Sequence, residues 1–440
     1  MPNMEKTSLT LEIVKWANEG RGVAHKDGKT YFVEHALPGD VVEASVIKDK
    51  KTYAIARTVK RCKASPERRV SPCPHSEQCD GCAMIDLQVQ AQVTYKKREV
   101  EETLRRIGNY EGEVRFHTTK EWHYRNKATF HLDEKGALSY RQRGTNCPIV
   151  LERCPILMES IEHLLIQWNT KLVPTKDWSR LSRSLETVVI RSNENNEIMV
   201  VLGWNVPKAS PKDRQEVAAR VQEYLKMDVF CSQDVFPQKS YAPSKLQWYT
   251  KKTSFSSCLK GLSFDISPTS FFQVNRFATE DLYDIALSKF TDITSASILD
   301  LYCGTGTTTL LLAQQSKHVL GIESHRAAVE NAKVNAERNS VENVEFLWGK
   351  AEDHLQRLTK EFSFDRLLVD PPRKGLDSRV ISAILGSGIR EMVYISCNSS
   401  TFARDLRLLQ EGGFVCSGVE VVDQFANTHH VEALVLMTRE

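Results

Sequence analysis

The chain has 440 residues, 41% of them hydrophobic, which predicts two or three globular domains with ordinary apolar cores. No apolar run approaches the length of a membrane span and the N-terminus lacks the apolar region of a signal peptide, so we expect a cytoplasmic protein. The net charge of +3 is unevenly distributed, because residues 1–150 carry 26 Lys and Arg against 20 Asp and Glu. This basic N-terminal part favours a polyanionic partner, with nucleic acid first, although a solvated surface would explain the charge equally well. Eleven cysteines in such a protein indicate metal ligands, catalytic groups or core positions rather than disulfides.

Residues 8–62 have the pattern of a small all-β domain. Runs rich in β-branched and aromatic residues alternate with turn-forming pairs such as Asp27-Gly28 and Pro38-Gly39. A closed barrel of the oligonucleotide-binding type fits this pattern, and such barrels bind single strands through a basic groove and stacking aromatic side chains. Five strands are predicted, at Leu9–Trp16, Gly22–His25, Thr30–Val33, Val41–Ile47 and Tyr53–Val59.

Three cysteines, Cys73, Cys79 and Cys82, lie within ten residues that are rich in turn formers. This spacing is typical of a metal-binding loop, and we predict Cys154, which precedes Pro155, as the fourth ligand. Four thiolates suit a [4Fe–4S] cluster or a tetrahedral zinc ion, so both metals remain open on the spacing alone.

The segment between the cysteine loop and residue 265 combines helices and strands. A long polar helix is predicted over residues 86–107, and residues 122–130 interleave aromatic and basic side chains in a predicted strand. Such a mixture suits stacking on unpaired bases together with contacts to phosphates, although some of the aromatic side chains will be core residues. Residues 155–265 are predicted as an α+β region that completes the substrate cleft.

A strand followed by a glycine-rich turn begins the C-terminal region. Residues 297–301 predict a buried strand and residues 308–314 a helix, and two glycines between them allow a ligand to approach the backbone closely. Because Thr309 occupies the position of the third glycine in a dinucleotide fingerprint, NAD and FAD are disfavoured. Glu323 ends the next predicted strand, where a carboxylate can accept hydrogen bonds from ribose hydroxyls.

A cysteine at the end of another predicted strand is the candidate nucleophile. Residues 392–395 predict a buried strand and residues 401–410 a helix, so Cys397 lies where the strand ends and the helix begins. Ligands bind at this edge of open α/β sheets, and N–H groups at the start of a helix can hold a thiol as a nucleophilic thiolate. The alternative is a buried, inert cysteine, which is the commonest fate of this residue type.

Several motifs of the chain resemble those of the RNA 5-methyluridine methyltransferases, and the resemblance extends over the whole sequence. The motifs are Ser270–Asn275, Asp370–Gly375, Ser396–Asn398 and His429–Glu432. Asp300 and Glu323, together with the glycine-rich turn, resemble the S-adenosylmethionine-dependent methyltransferase fold. The turns Gly20–Ala24 and Ala36–Val42 resemble those of a TRAM domain, an RNA-binding barrel of RNA-modifying enzymes. Arg373 stands where methyltransferases of amino groups carry an aromatic residue, so a base amino nitrogen is not the expected target. Ser399 departs from the family pattern, which commonly has proline after Ser-Cys-Asn.

This resemblance implies a role for each motif. Cys397 would attack C6 of uracil and Glu432 would remove the proton from C5, with S-adenosylmethionine as the methyl donor. The cofactor-binding residues that it implies are Gln273, Tyr302, Gly304, Gly306, Thr307, Glu323, Asp353 and Asp370. The substrate-binding residues that it implies are Phe271, Phe272, Gln273 and Asp370, and one of the two phenylalanines would stack on a flipped base. A helix N-terminal charge is the alternative role for Asp353. The resemblance also favours a [4Fe–4S] cluster over zinc for Cys73, Cys79, Cys82 and Cys154.

The expected fold class is α/β, with three domains. We expect residues 1–62 to form a TRAM barrel that binds RNA, and residues 63–265 to form a central α+β domain with the iron–sulfur loop. Residues 266–440 are expected to form a Rossmann-like methyltransferase domain with a seven-stranded sheet. The expected activity is S-adenosylmethionine-dependent methylation of uridine C5 in 23S ribosomal RNA by a monomeric protein with no DNA or membrane partner. The alternatives are methylation of tRNA uridine 54, a non-catalytic RNA-binding or assembly factor, and a zinc-stabilised cytosine-C5 methyltransferase.

Overall fold

The computed structural model describes residues 8–17, 20–142, 145–205, 209–234 and 246–440. The chain divides into two compact units. The first comprises residues 1–102, 141–149 and 425–430, and the second comprises residues 103–140, 150–424 and 431–440. The domain borders expected at residues 62 and 265 stay predictions. No helix within the described ranges is long and apolar enough to cross a membrane.

The first unit contains a six-stranded sheet. Its strands are β1 Ser8–Glu12, β2 Lys15–Ala17, β3 Arg21–Lys26, β4 Lys29–Glu34, β5 Val41–Asp49 and β6 Tyr53–Lys63. They follow the order β1-β5-β6-β4-β3-β2, and their apolar side chains form a small core around Leu11, Val33 and Val42. The strand expected over residues 9–16 is divided in two, because the N–H of Ile13 donates to the carbonyl of Asp40 instead of to a sheet partner. The sheet therefore has six strands and not the predicted five.

A buried carboxylate holds the turn between β4 and β5. The side chain of Asp40 is fully buried, and its oxygens accept hydrogen bonds from the N–H groups of Leu37 and Ser65, both at 2.8 Å. Arg68 donates to both oxygens, at 2.9 and 2.5 Å. Burial alone would raise the pKa of Asp40, but these donors lower that pKa below its usual value. The turn predicted at Pro38-Gly39 is thus fixed by the ionised side chain that follows it.

A long helix, α1 Val89–Gly108, follows the cysteine loop and agrees with the prediction for residues 86–107. Part of its charge is paired along its own surface, because Lys97 and Arg98 form i,i+4 ion pairs with Glu101 and Glu102 at 3.8 and 2.7 Å. These four side chains have the character of a solvated helix face.

The second unit begins with a mixed sheet and a hairpin. The strands from residue 103 to residue 265 are β7 Val114–His117, β8 Lys127–Leu132, β9 Leu138–Arg141, β10 Pro148–Val150, β11 Leu185–Ser192, β12 Ile198–Trp204, β13 Val229–Asp234, β14 Gln247–Trp248, β15 Ser256–Leu259 and β16 Leu262–Asp265. Arg141 at the end of β9 and the first two residues of β10 belong to the first unit. The helices are α2 Glu159–Gln167, α3 Trp178–Leu181 and α4 Pro211–Tyr224, and the π-helical turn Trp168–Leu172 continues α2. The sheet has the order β9-β8-β11-β12-β13-β14, and β15 pairs with β16. Only the end of the predicted strand 122–130 is regular, since β8 begins at Lys127.

A second sheet occupies the C-terminal part of this unit. Its strands are β17 Ser297–Leu301, β18 His318–Glu323, β19 Val344–Trp348, β20 Arg366–Val369, β21 Glu391–Ser396, β22 Val415–Cys416, β23 Val419–Val422 and β24 Glu432–Thr438, joined by β7. The helices are α5 Arg276–Ser288, α6 Thr307–Ala313, α7 Arg326–Arg338, α8 Ala351–Glu361, α9 Ser378–Leu385 and α10 Ser399–Glu411. The order is β19-β18-β17-β20-β21-β24-β23-β7, with β22 paired to β24. The sheet has nine strands and not the seven predicted, because β7 adds in parallel to β23 and the two-residue β22 adds to β24.

The strand order places a ligand-binding crevice at one edge of this sheet. The chain passes from β17 to β18 on one side, whereas β20 pairs with β17 on the other side, and all three strands are parallel. The connections therefore diverge at the carboxyl end of β17, which is the switch point where open α/β sheets bind their ligands. The crevice lies within the second unit, and so does every residue predicted for catalysis and for cofactor binding.

Candidate active site

The glycine-rich turn after β17 has an unusual backbone that leaves room for a ligand. Tyr302, Gly304 and Gly306 have φ angles of 66°, 56° and 83°, in the left-handed region. A Cβ on Gly306 would lie 3.0 Å from the Cβ of Ala332, so both conformation and packing require glycine there. A Cβ on Gly304 would meet nothing within 4 Å, which shows open space beside the turn. Helix α6 begins immediately afterwards, at Thr307.

Asp300, at the end of β17, is a buried carboxylate that is only half satisfied. Its Oδ2 accepts hydrogen bonds from the hydroxyls of Thr308 and Thr309, at 2.7 and 2.6 Å. Its Oδ1 is buried and has no hydrogen-bond partner in the described part of the chain. Burial raises the pKa of Asp300 to about 6, although the two hydroxyls oppose the shift. Sequence analysis missed the two threonines, although Thr309 had been noted as the residue in place of a third glycine.

Glu323 closes the other side of the turn. Its Oε2 accepts a hydrogen bond of 3.2 Å from the N–H of Gly304, and its Oε1 accepts one of 2.7 Å from the N–H of His325. A carboxylate, an unpartnered buried oxygen at Asp300 and the open space beside Gly304 together suit a ligand with hydroxyl and amino donors. These hydrogen-bond acceptors thus fit the donors in the nucleoside and amino-acid parts of S-adenosylmethionine.

Asp353 lies further along the same edge, in the first turn of α8. Its side chain is half exposed and forms an ion pair of 3.2 Å with Arg379. The helix N-terminus and this ion pair account for its charge, so its proposed contact with the cofactor stays a prediction.

Cys397 and Glu432 come together through the pairing of β21 with β24. The last residue pair of this antiparallel ladder is Ser396 with Ala433, so Cys397 follows the pair on one strand and Glu432 precedes it on the other. The side chain of Glu432 is buried, and that of Cys397 is partly exposed. The two predicted catalytic groups therefore occupy the same end of neighbouring strands.

The ionisation of this pair differs from the expectation for a helix-stabilised thiolate. Burial, together with the charges of Glu432 and Asp370, raises the pKa of Cys397 to about 11. Burial also raises the pKa of Glu432 well above its usual range, and the charge of Asp370 adds to the effect. The pKa of Asp370 is raised to about 7 by burial and by Asp300. The ligand-free site thus favours a thiol at Cys397 and raises the pKa values of the neighbouring carboxyl groups, and a bound cation would favour their ionised forms.

Asn398 ties the loop after β20 to the start of α10. Its Oδ1 accepts hydrogen bonds from the N–H groups of Ser400 and Thr401, at 3.0 and 3.4 Å, and so caps the helix. Its Nδ2 donates to the carbonyl of Arg373 at 3.1 Å. The positive charge of Arg373 lowers the pKa of Cys397 and thereby opposes part of the shift caused by burial. Asn398 therefore positions a loop whose Arg373 lowers the pKa of this thiol.

The two adjacent phenylalanines predicted to contact substrate have different environments. The side chain of Phe271 is 71% exposed, whereas Phe272 is 6% exposed and packs in the hydrophobic core, with its ring centroid 5.9 Å from that of Phe264. Only Phe271 has a ring surface available for stacking. Gln273 follows in the same loop, where its carbonyl accepts a hydrogen bond of 3.1 Å from Asn126.

The predicted metal ligands fall into different parts of the chain. Cys73, Cys79 and Cys82 belong to a series of turns in the first unit, whereas Cys154 belongs to the second unit, where it is buried. Within the first unit, burial and the charge of the nearby Cys73 raise the pKa of Cys79. No group of three or more His, Cys, Asp or Glu side chains that could hold a metal ion occurs in the described ranges. The cluster therefore stays a prediction.

The arrangement of a switch-point crevice, a left-handed glycine turn and a carboxylate after the second strand defines the chain as a protein with the mixed α/β fold of S-adenosylmethionine-dependent methyltransferases. Residues 88–440 match the tRNA (uracil-5-)-methyltransferase family, and residues 3–59 match the TRAM domain. The chain belongs to this methyltransferase family and carries an N-terminal TRAM domain.

The alignments with related proteins cover nearly the whole of both chains. An uncharacterized RNA methyltransferase of Halalkalibacterium halodurans is 34% identical, with 98% of this chain and 96% of that protein aligned. Another, from Caldanaerobacter subterraneus subsp. tengcongensis, is also 34% identical, over 98% and 97% of the two chains. The crystal structure of the Pyrococcus abyssi tRNA (uracil-54, C5)-methyltransferase in complex with S-adenosyl-L-homocysteine has a TM-score of 0.76 with this structure. That pair is 23% identical over 98% of this chain and all of the other, so the two proteins share a fold.

Proposed function

We propose that the protein transfers a methyl group from S-adenosylmethionine to C5 of a uridine in 23S ribosomal RNA. The position of Cys397 and Glu432 at the same end of neighbouring strands, beside Asp370, carries this proposal. Uracil C5 is a weak nucleophile until a thiolate adds to C6, so C5 methylation needs a thiol and a base at one pocket.

The residues of this chain would act in a fixed order. The partly exposed thiol of Cys397 gives its proton to water, and its sulfur adds to C6, which moves electron density to C5 and to O4. Bound S-adenosylmethionine supplies an electrophilic methyl group to C5. The carboxylate of Glu432 then takes the remaining proton of C5, the bond between C6 and sulfur breaks, and the thiolate leaves with the electron pair. Positive charge held near Asp300 and Asp370 favours the carboxylate form of Glu432 that this last step needs.

The base would be held by the loop between β16 and α5. Phe271 is proposed to stack on the flipped uracil, because its exposed ring can replace part of the stacking that the base loses. The buried Phe272 supports the loop from the core side. Gln273 is proposed to contact both the base and the cofactor, and Asp370 to contact the same two ligands from the opposite loop.

Three cations near this loop support a polyanionic substrate. Arg191 on β11 is paired directly across the sheet with Lys127 on β8, so the two side chains lie on one face, and Arg125 is two residues away. Arg191 is 2% exposed and donates to the carbonyl of Ser270 at 2.6 Å. None of the three cations forms an ion pair with another described residue. Burial and the charges of Arg191 and Arg125 lower the pKa of Lys127 to about 8. Arg125 and Lys127 are partly exposed and can contact a phosphate of the RNA backbone, whereas the buried Arg191 adds positive potential beneath them.

The choice of 23S ribosomal RNA depends on the combination of a TRAM domain with a cysteine loop in one chain. Uridine 54 of tRNA is the alternative substrate, since the Pyrococcus abyssi protein of the same fold is named for that position. Mass mapping of 5-methyluridine in 23S ribosomal RNA and tRNA from a deletion strain distinguishes the two. A modification lost from ribosomal RNA and restored by the purified protein with S-adenosylmethionine is the expected result. Loss from tRNA alone would favour the alternative, and no loss from either RNA would favour a non-catalytic factor.

A [4Fe–4S] cluster on Cys73, Cys79, Cys82 and Cys154 is also part of the proposal. Three cysteines within ten residues of turns support it. The absence of a side chain at Gly81 also supports it, because a Cβ added there would lie 3.4 Å from the sulfur of Cys79. The anaerobically purified protein should contain about four iron atoms per chain and absorb broadly near about 400 nm. Stoichiometric zinc without iron would contradict this assignment and favour the zinc alternative.

A further inference from the structure

The side chain of Gln273 is the last member of a buried chain of hydrogen bonds. The hydroxyl of Thr279 lies 2.6 Å from the carbonyl of Asn275, one turn earlier in α5. The same hydroxyl lies 2.9 Å from Nε2 of Gln424, and this Nε2 lies 3.3 Å from Oε1 of Gln273. Asn275, Thr279 and Gln424 are fully buried, so water does not replace any of these partners. The backbone of Gln424 is held as well, because its carbonyl accepts a bond of 2.9 Å from Nδ2 of Asn275.

The direction of every hydrogen bond in this chain follows from its first member. A carbonyl has no hydrogen, so the hydroxyl of Thr279 must donate its single proton to Asn275. That hydroxyl can then only accept a hydrogen bond from Gln424, which requires the amide nitrogen of Gln424, and not its oxygen, to face Thr279. The other hydrogen of the same nitrogen points to Gln273, so the atom of Gln273 on that side must be the oxygen. The opposite orientation of Gln424 would bring its oxygen against the hydroxyl oxygen of Thr279, which has no proton left to donate.

This polarity leaves the amide nitrogen of Gln273 on the side of the reacting groups. Tyr283 has a hydrogen bond with the side chain of Gln273, and its hydroxyl also interacts with the charges of Asp370, Asp300 and Glu432. The N–H side of Gln273 is therefore the side that faces Tyr283, whose hydroxyl is within electrostatic reach of these three carboxyl groups. A donor at this place is complementary to O4 of uracil and opposed to the amino group that cytosine carries at C4.

We propose that Thr279 and Gln424 are positioning residues that hold the Gln273 amide with its N–H group towards the pyrimidine, so that the site selects uracil over cytosine. This inference rests on the proposed function, in that it concerns the base which Cys397 attacks. Addition of sulfur to C6 places negative charge on O4, and a fixed N–H donor stabilises that charge without reorientation. The relay therefore acts on the chemical step and on the choice of base; because Gln273 is also proposed to contact S-adenosylmethionine, cofactor binding is measured separately.

Two substitutions test the relay. Gln424→Glu replaces the donor by an acceptor, which draws the N–H group of Gln273 towards residue 424 and turns its oxygen towards the base. Thr279→Val removes the acceptor that orients Gln424 while preserving the shape of the side chain, and it adds no buried charge. Thr359→Val is the matched control, because the hydroxyl of Thr359 makes the same kind of bond, 3.0 Å to the carbonyl of Leu355, in α8. The substrate is an RNA fragment around the mapped nucleotide, prepared with uridine or with cytidine at that position.

The measurements are kcat and KM for both fragments, the dissociation constant of S-adenosylmethionine and the melting temperature. We expect both variants to lower kcat on uridine by about 10- to 100-fold at saturating S-adenosylmethionine. The ratio of kcat/KM for uridine to that for cytidine should fall in both variants, furthest in Gln424→Glu. An unchanged ratio in the folded Thr279→Val protein would overturn the relay, even if kcat fell. A wild-type protein that methylates neither fragment would contradict the proposed function instead, so the two failures are distinguishable.

Discussion

Cys397 and Glu432 are 35 positions apart in the sequence, yet they flank the same residue pair, Ser396 with Ala433, across two antiparallel strands. The pairing of β21 with β24 thus places a thiol and a carboxyl group at one end of the sheet. The charge of Glu432 contributes to the raised pKa of Cys397. Because one group would form the covalent bond to the base and the other would remove a proton, substitution of each should stop the reaction at a different step.

The Cys397→Ala variant should lose all turnover and bind S-adenosylmethionine normally, because no bond to C6 of the base can form. With RNA that contains 5-fluorouridine, the wild-type protein should form a stable adduct visible as a slow band on a denaturing gel. Cys397→Ala should form none, and Cys416→Ala, a partly buried cysteine on β22, should behave like wild type. An adduct with the Cys397→Ala variant would identify another cysteine as the nucleophile.

Glu432→Gln should behave differently from the cysteine variant. Addition and methylation can proceed, but the C5 proton stays. The protein should therefore accumulate as a covalent adduct with RNA that contains ordinary uridine, without the need for 5-fluorouridine. Turnover should fall by about 10²–10⁴-fold, the usual contribution of a general base. Because burial raises the pKa of Glu432, the wild-type rate should increase with pH through the titration of this carboxyl group, and Glu432→Gln should lack that increase. Rapid turnover by this variant would assign the base to another residue.

The cation cluster on β8 and β11 predicts a pH-dependent affinity for RNA. Since the pKa of Lys127 is lowered to about 8, its charge and its contribution to phosphate binding should be lost as the pH rises through that value. Lys127→Arg should keep RNA affinity constant over this range. Lys127→Met should weaken binding at pH 7 and reduce the slope of log K against log salt by about 0.7–0.9, as expected for one lost phosphate contact. Lys212→Met, an exposed lysine on α4, is the control and should change neither quantity.

The carboxyl groups of the active site predict how stability depends on pH. Folding raises the pKa values of Asp300 and Asp370 to about 6 and about 7, so the folded state binds protons more tightly than the unfolded chain does. Their contribution to the free energy of unfolding is fully present below the unfolded value of about 3.9 and is lost as the pH rises through about 7. Urea unfolding of the ligand-free protein across this window measures the loss. In Asp370→Asn, the free energy of unfolding should decrease less as the pH rises. A pH profile equal to that of wild type would contradict a raised pKa at Asp370.

The sequence by itself determined the local features of the site. The strand, the glycine-rich turn and the helix from Ser297 to Ala313 follow from short-range patterning, and so does the junction at Cys397. Backbone conformation and hydrophobic periodicity act over a few residues, which makes such elements predictable without a fold. The match of residues 88–440 to a methyltransferase family and of residues 3–59 to the TRAM domain agrees with those local motifs.

Only the tertiary structure decided which of these residues act together and in which protonation state. It buried Phe272 and left Phe271 exposed, and it connected Gln273 to Gln424 across 151 positions of the chain. It also raised the pKa of the Cys397 thiol, where the helix terminus had suggested a thiolate. The physical reason is that burial and electrostatic fields sum over groups from distant segments, so they exist only after strands such as β21 and β24 have paired.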